Sequence, residues 1–177
     1  MTSTPERPGA LGAIGNTPVV RLTKLVDAGM AEVWVKLESH NPTGSYKDRM
    51  GLAMIEGAER SGHLRPGQTV VEYTGGSTGS SLALVCSVKG YPLRIVSSNA
   101  FAEEKLRTMA AFGADIEIID SPEGITPELV PKMRTRAAEI AAEVGGYQTD
   151  QYNNTDMVEG YKALGYELAD QLEEELR

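Results

Sequence analysis

From about residue 45 onward, short apolar runs alternate with amphipathic runs of ten or more residues, and glycine closes most of the longer ones. The short runs at 69–72, 93–97 and 116–119 are rich in Val and Ile and read as strands. The long runs at 45–61, 78–89, 102–112 and 127–144 read as helices. In the first of these, Met50, Ala53, Met54 and Ala58 recur at spacings of three and four. Gly62, Gly90, Gly113 and Gly145 stand just past the helices as stop signals. Two more strands precede this array at 18–22 and 32–37, and a short strand near Tyr147 with a helix at about 157–176 completes it. Strands separated by helices of this length pair in parallel through right-handed crossovers. The expected class is therefore α/β, with parallel sheets and helices on both faces.

Charge and composition narrow the function. Seventeen basic against twenty-five acidic residues give a net charge of −8, which disfavours nucleic acid as a partner. Part of the acidic excess is Glu167, Asp170, Glu173, Glu174 and Glu175, expected to form a solvated helix face. No apolar run approaches the roughly 18–20 residues of a membrane helix, so no membrane partner is expected. Residues 1–9 are polar, carry Pro5 and Pro8 and lack the apolar core of a signal peptide, so a cytoplasmic setting is expected. Cys86 is the only cysteine and lies in an apolar helical run, where a buried, unreactive thiol is expected. His40 and His63 have no ligand-like spacing, and no metal site is expected.

Two loops carry candidate chemistry. The first, Asn41-Pro-Thr-Gly-Ser-Tyr-Lys-Asp-Arg49, leads from a strand into a helix. Ser45 is the expected N-cap, and Lys47 falls in the opening turn, near the positive end of the helix dipole. That position is expected to lower the lysine's pKa, which suits an amine that must attack an aldehyde. An ordinary capped helix start would look the same. The second loop, Glu72-Tyr-Thr-Gly-Gly-Ser-Thr-Gly79, is again strand, glycine turn, helix. Gly75, Gly76 and Gly79 allow backbone N–H groups to converge on an anion, and Thr74, Ser77 and Thr78 add hydroxyls. It is neither a P-loop nor a dinucleotide fingerprint. A merely tight turn is the alternative.

An ordered set of motifs carries a family resemblance. Ile14-Gly-Asn-Thr-Pro-Val-Val-Arg-Leu22, Lys36-Leu-Glu38, the loop at 41–49, Pro66-Gly67, Thr74-Gly-Gly-Ser-Thr-Gly79, Lys89-Gly-Tyr91, Glu104-Lys105 and Gly113-Ala114 follow one another. Together they resemble the cysteine synthase (O-acetylserine sulfhydrylase) family of pyridoxal-phosphate enzymes, with a tryptophan synthase β-like fold. The resemblance implies that Lys47 carries pyridoxal 5'-phosphate and acts as acid and base at the substrate α-carbon. It implies that Thr74, Gly75, Gly76, Ser77 and Thr78 hold the substrate carboxylate, with Gln151 facing the same group. Two positions depart from the usual Thr-Ser-Gly-Asn-Thr-Gly, since Gly75 replaces its serine and Ser77 its asparagine. The asparagine contacts the cofactor in the family, so Ser77 is the expected cofactor-side residue.

The implied reaction is β-replacement on an activated, O-acetylserine-like serine to make cysteine or a related amino acid. β-Elimination of the serine/threonine dehydratase kind is the alternative, and a truncated, non-catalytic fragment is another. The resemblance divides the chain into 1–38, an N-terminal segment of a larger domain; 39–146, a small α/β domain; and 147–177, where the larger domain resumes. It also implies that the C-terminal part, with the phosphate loop, is missing. A small amino acid is the expected ligand, and a homodimer the expected state of the full-length protein.

Overall fold

In the computed structural model, residues 9–27 and 29–175 are described; the proline-bearing start at 1–8 and the last two residues lie outside them. Two short strands, β1 (Val19–Arg21) and β2 (Trp34–Lys36), pair antiparallel as a separate ribbon. There follow α1 (Lys47–Ser61), β3 (Val70–Tyr73), α2 (Ser77–Lys89), β4 (Leu93–Ser98), α3 (Glu103–Ala111), β5 (Asp115–Ile119), α4 (Leu129–Val144), β6 (Tyr147–Gln148) and α5 (Asp156–Glu175). β3 to β6 form one parallel sheet in the order β5-β4-β3-β6. This is the α/β arrangement with helices on both faces. β6, which begins at residue 147, is an edge strand of this sheet.

Side-chain alternation explains the layers. Val70, Leu93 and Ile95 face a cluster with Met50, Met54 and Ile55 of α1, Leu82 and Val85 of α2, and Met109 of α3. Val71, Tyr73 and Val96 face Leu129, Met133, Ala137 and Ile140 of α4. Both faces are covered, so the central strands read as continuous apolar runs. α2 is buried from Thr78 to Cys86, between the sheet and α1. That sandwiched position explains why its sequence lacks a polar stripe. Cys86 is buried there, and burial pushes its thiol pKa up to about 12. Among the described residues, no helix is long and apolar enough to cross a membrane.

α5 packs on α1, and Gly160 makes this close: a β-carbon there would stand 2.5 Å from the Arg49 carbonyl oxygen. The expectation of a purely solvated acidic face fails at Glu167. Its carboxylate accepts from the Asn16 and Thr17 backbone N–H groups, both at 2.9 Å. It also accepts from Lys36 Nζ at 2.5 Å and from Arg49 Nη1 at 2.9 Å. Arg49, itself buried, spans to Glu38 through Nε at 2.8 Å and Nη2 at 2.9 Å. Two cations thus meet two anions. Sequence periodicity could not reveal this, because Glu167 lies more than a hundred positions from the residues it meets.

Burial pushes the Glu167 carboxyl up, but Arg49, Lys36 and the Asn16 N–H more than offset it and hold it at about 2. A carboxylate with a depressed folded pKa contributes stability that is complete above its unfolded value, roughly 4.3. That contribution is lost as pH falls toward about 2. Glu167→Gln should lower stability at neutral pH by about 3 kcal/mol, because a buried charge network loses one partner. It should also remove much of the acid sensitivity between those limits. Urea unfolding of both proteins across this range checks it; parallel curves would refute the assignment.

Candidate functional site

The sheet reverses direction at β3. Successive strands run from β3 to β4 to β5, and α4 then returns the chain to β6 on the other side of β3. Such a switch point leaves a crevice beyond the carboxyl ends of the two diverging strands. The glycine turn follows β3, and Thr149 to Gln151 follow β6. The two loops are bonded to each other: Thr78 Oγ1 donates to Gln151 Oε1 at 2.7 Å, and Gln151 Nε2 donates to the Tyr73 carbonyl at 2.9 Å. The structure therefore bonds together Thr78 and Gln151, which the resemblance assigns to the same ligand group.

Within the turn, the Gly76 N–H is bonded to Thr74 Oγ1 at 3.1 Å, and α2 begins at Ser77. The two central glycines differ. A β-carbon at Gly75 would stand 2.6 Å from the Phe101 ring, whereas one at Gly76 would meet only the Lys105 side chain, at 3.4 Å. Phe101 closes one side of the turn and leaves the Gly76 side accessible. The position where the resemblance expects a serine is thus filled by a neighbouring ring.

The 41–49 loop reaches the same end of α2 through Asp48. This buried carboxylate accepts from the Thr43 N–H at 2.8 Å, from the Thr43 hydroxyl and from Ser81 Oγ at 2.5 Å. Asp48 is therefore a clamp between α1 and α2. Helix α1 begins at Lys47 with Tyr46, not the expected Ser45, at its N-cap, and the Ser45 hydroxyl one position earlier accepts the Lys47 N–H at 3.1 Å.

Lys47 Nζ donates to Tyr161 Oη at 3.1 Å and lies 4.7 Å from the Tyr46 ring centroid. Its partner is thus on α5 rather than in the glycine turn. The expectation of a lowered pKa fails here. Burial pulls it down, but the hydroxyls of Tyr161 and Tyr46 outweigh burial and hold it above the ordinary lysine value. A helix dipole acting on a half-exposed amine is weaker than a direct acceptor.

Sequence reading passed over Glu72 as a side chain. It is buried at the end of β3 and has three donors: the Tyr73 N–H at 2.8 Å, Thr149 Oγ1 at 2.6 Å and the Gln151 N–H at 3.0 Å. Burial raises its pKa to about 7 against those three hydrogen bonds. The available signal was an acid interrupting the apolar run Val70-Val71-Glu72-Tyr73.

A family model described as pyridoxal-phosphate dependent enzyme matches residues 10–177. A cysteine synthase of Staphylococcus aureus is 40% identical over 161 residues, which cover 90% of this chain and 50% of that protein. Cysteine synthase B of Escherichia coli is 38% identical over 143 residues, covering 81% and 46%. O-acetyl serine sulfhydrylase isoform 3 of Entamoeba histolytica superposes with a TM-score of 0.83 at 29% identity, covering 98% of this chain and 52% of that one. A hydrogen sulfide-producing enzyme of Fusobacterium nucleatum gives 0.84 at 30% identity, covering 94% and 53%. The chain spans about half the length of the relatives it matches.

Two substitutions test this geometry. Gly75→Ala should destabilise the fold by about 1–3 kcal/mol through overpacking against Phe101, while Gly76→Ala should cost far less. Thermal unfolding of the pair decides, and equal losses would show that Phe101 does not fill that space. Tyr161→Phe removes the acceptor that holds the Lys47 ammonium, so the amine should deprotonate at lower pH. The pH dependence of its reductive methylation measures this, and an unchanged profile would refute the pairing.

Proposed function

Because the chain belongs to the pyridoxal-phosphate-dependent enzyme family, we propose that its crevice serves β-replacement on an activated, O-acetylserine-like serine. The product of the whole protein would be cysteine or a related amino acid. One observation carries this reading: the Asp48–Ser81 bond ties the helix start bearing the Lys47 amine to the helix that opens from the glycine turn. The cysteine synthase relatives support it.

The residues fit the cofactor. Lys47 would offer a primary amine to its aldehyde and Ser77 a hydroxyl to its ring, and the side of Gly76 where a β-carbon would stand meets only the flexible Lys105 side chain. Pyridoxal phosphate, when bound, supplies an electron sink for charge developing at the substrate α-carbon. The chain's own groups do the rest. Donors of Thr74, Gly75, Gly76, Ser77 and Thr78 would orient the substrate carboxylate with the Gln151 amide facing it, the Gly76 N–H and the Thr78 hydroxyl first leaving Thr74 Oγ1 and Gln151 Oε1. Lys47 Nζ takes the α-proton; acetate leaves the β-carbon and a sulfur nucleophile replaces it. To act, Lys47 must first lose its proton and its bond to Tyr161. A homodimer and a cytoplasmic setting belong to the same proposal.

β-Elimination, in which the β-substituent leaves without replacement, is the second reading. The likeness to a hydrogen sulfide-producing enzyme favours it. Release of pyruvate in place of a new amino acid would identify it.

Borohydride reduction of the full-length, cofactor-loaded protein should fix the label on the Lys47 peptide, and Lys47→Ala should abolish labelling. A label on Lys36 would overturn the assignment. The 177-residue chain alone should bind the cofactor weakly and show no β-replacement, because its one glycine turn at the crevice is assigned to the substrate carboxylate. A cofactor phosphate with about two charges needs several donors of its own. Adding the remainder of a full-length relative as a separate chain should restore binding; tight binding and turnover without it would place the phosphate at residues 74–79.

A further inference from the structure

Glu72 has no place in the proton transfers described above, yet it is a fully buried acid at the crevice. It lies on the face of β3 that carries Val70 into the apolar cluster beneath α1 and α2. None of its hydrogen bonds comes from a cation. Two of its three donors belong to the loop after β6, and one of these is the backbone N–H of Gln151 itself. The same loop is tied down by Asn154, whose side-chain amide donates to the Thr149 carbonyl at 2.8 Å. The Gln151 side chain then has little freedom, bridging Thr78 and the Tyr73 carbonyl.

We propose that Glu72 is a positioning residue for the ligand site: its carboxylate fixes the Gln151 backbone and so aims the Gln151 amide into the crevice, in a proton-dependent way. The proposal rests on the reading of Gln151 as a ligand of the substrate carboxylate. The proton dependence follows from the donor set. The Tyr73 and Gln151 N–H groups can only donate, so the ionised carboxylate satisfies both, whereas a protonated one turns an acceptor into a donor. Thr149 can reverse its hydroxyl; Gln151 cannot reverse its N–H. Asp150, Tyr73 and Tyr147 are the titratable groups around the carboxyl, and the Asp150 charge acts to raise its pKa.

Backbone amide NMR of the chain tests the link without cofactor. The Gln151 N–H resonance should titrate with a midpoint of about 7. Glu72→Gln should abolish that midpoint, Thr149→Val should raise it by removing a donor to the carboxylate, and Asp150→Asn should lower it without abolishing it. A Gln151 resonance that does not titrate, or a midpoint that survives Glu72→Gln or vanishes in Asp150→Asn, overturns the proposal. In the full-length enzyme, Glu72→Gln should raise KM for the amino-acid substrate about tenfold with a smaller change in kcat. If Lys47 takes the borohydride label and this KM equals the parent's, the Glu72 proposal falls alone. If Lys47 takes no label while Gln151 still follows Glu72, the catalytic reading falls and the hold on Gln151 stands.

Discussion

Three consecutive residues at the start of α1 connect three separate parts of the molecule. Lys47 reaches Tyr161 on α5, Asp48 holds Ser81 on α2, and Arg49 bridges Glu38 and Glu167. Helical geometry makes this available, because successive side chains leave the axis about 100° apart and so face different neighbours. The cost is that a buried cation and a buried anion sit side by side and each must find its own partners. Arg49 does so with two bidentate carboxylates, and Asp48 with hydroxyls and a backbone N–H. The crevice inherits its shape from this turn, since α2 carries the glycine loop on its other flank.

Local pattern was enough for most of the fold. The strands at β3, β4 and β5 and the helices between them follow from apolar runs, helical spacing and glycine stops, all of them short-range signals. Both candidate loops were visible too, as strand–glycine–helix junctions. What stayed hidden depends on groups distant in sequence. Glu167 looked like one member of an exposed acidic run because its partners sit at residues 16, 17, 36 and 49. The direction of the Lys47 shift required knowing that Tyr161 lies beside it. Phe101 against Gly75 is a tertiary contact that no spacing rule contains.

Two places where local rules break lie at the crevice. Glu72 is an acid in a strand whose two faces are otherwise apolar, and Asp150, a non-glycine residue, takes a left-handed conformation with φ of +46°. One oxygen of Asp150 is buried without a partner. A chain whose sequence and fold agree nearly everywhere concentrates its exceptions where function constrains it. The disagreement at these adjacent positions is therefore informative in itself, and independent of any family likeness.

The Arg49–Glu167 pair also bears on how the protein is made. Its members lie 118 residues apart, and at about 5–20 residues per second the ribosome needs on the order of ten seconds to deliver the second after the first. During that interval the N-terminal ribbon has no carboxylate from α5 to receive the Asn16 and Thr17 N–H groups. The parallel sheet, whose strands come from the middle of the chain, can assemble before the ends meet. Nascent chains should thus mature from the central sheet outward, with Asn16 and Thr17 docking after it.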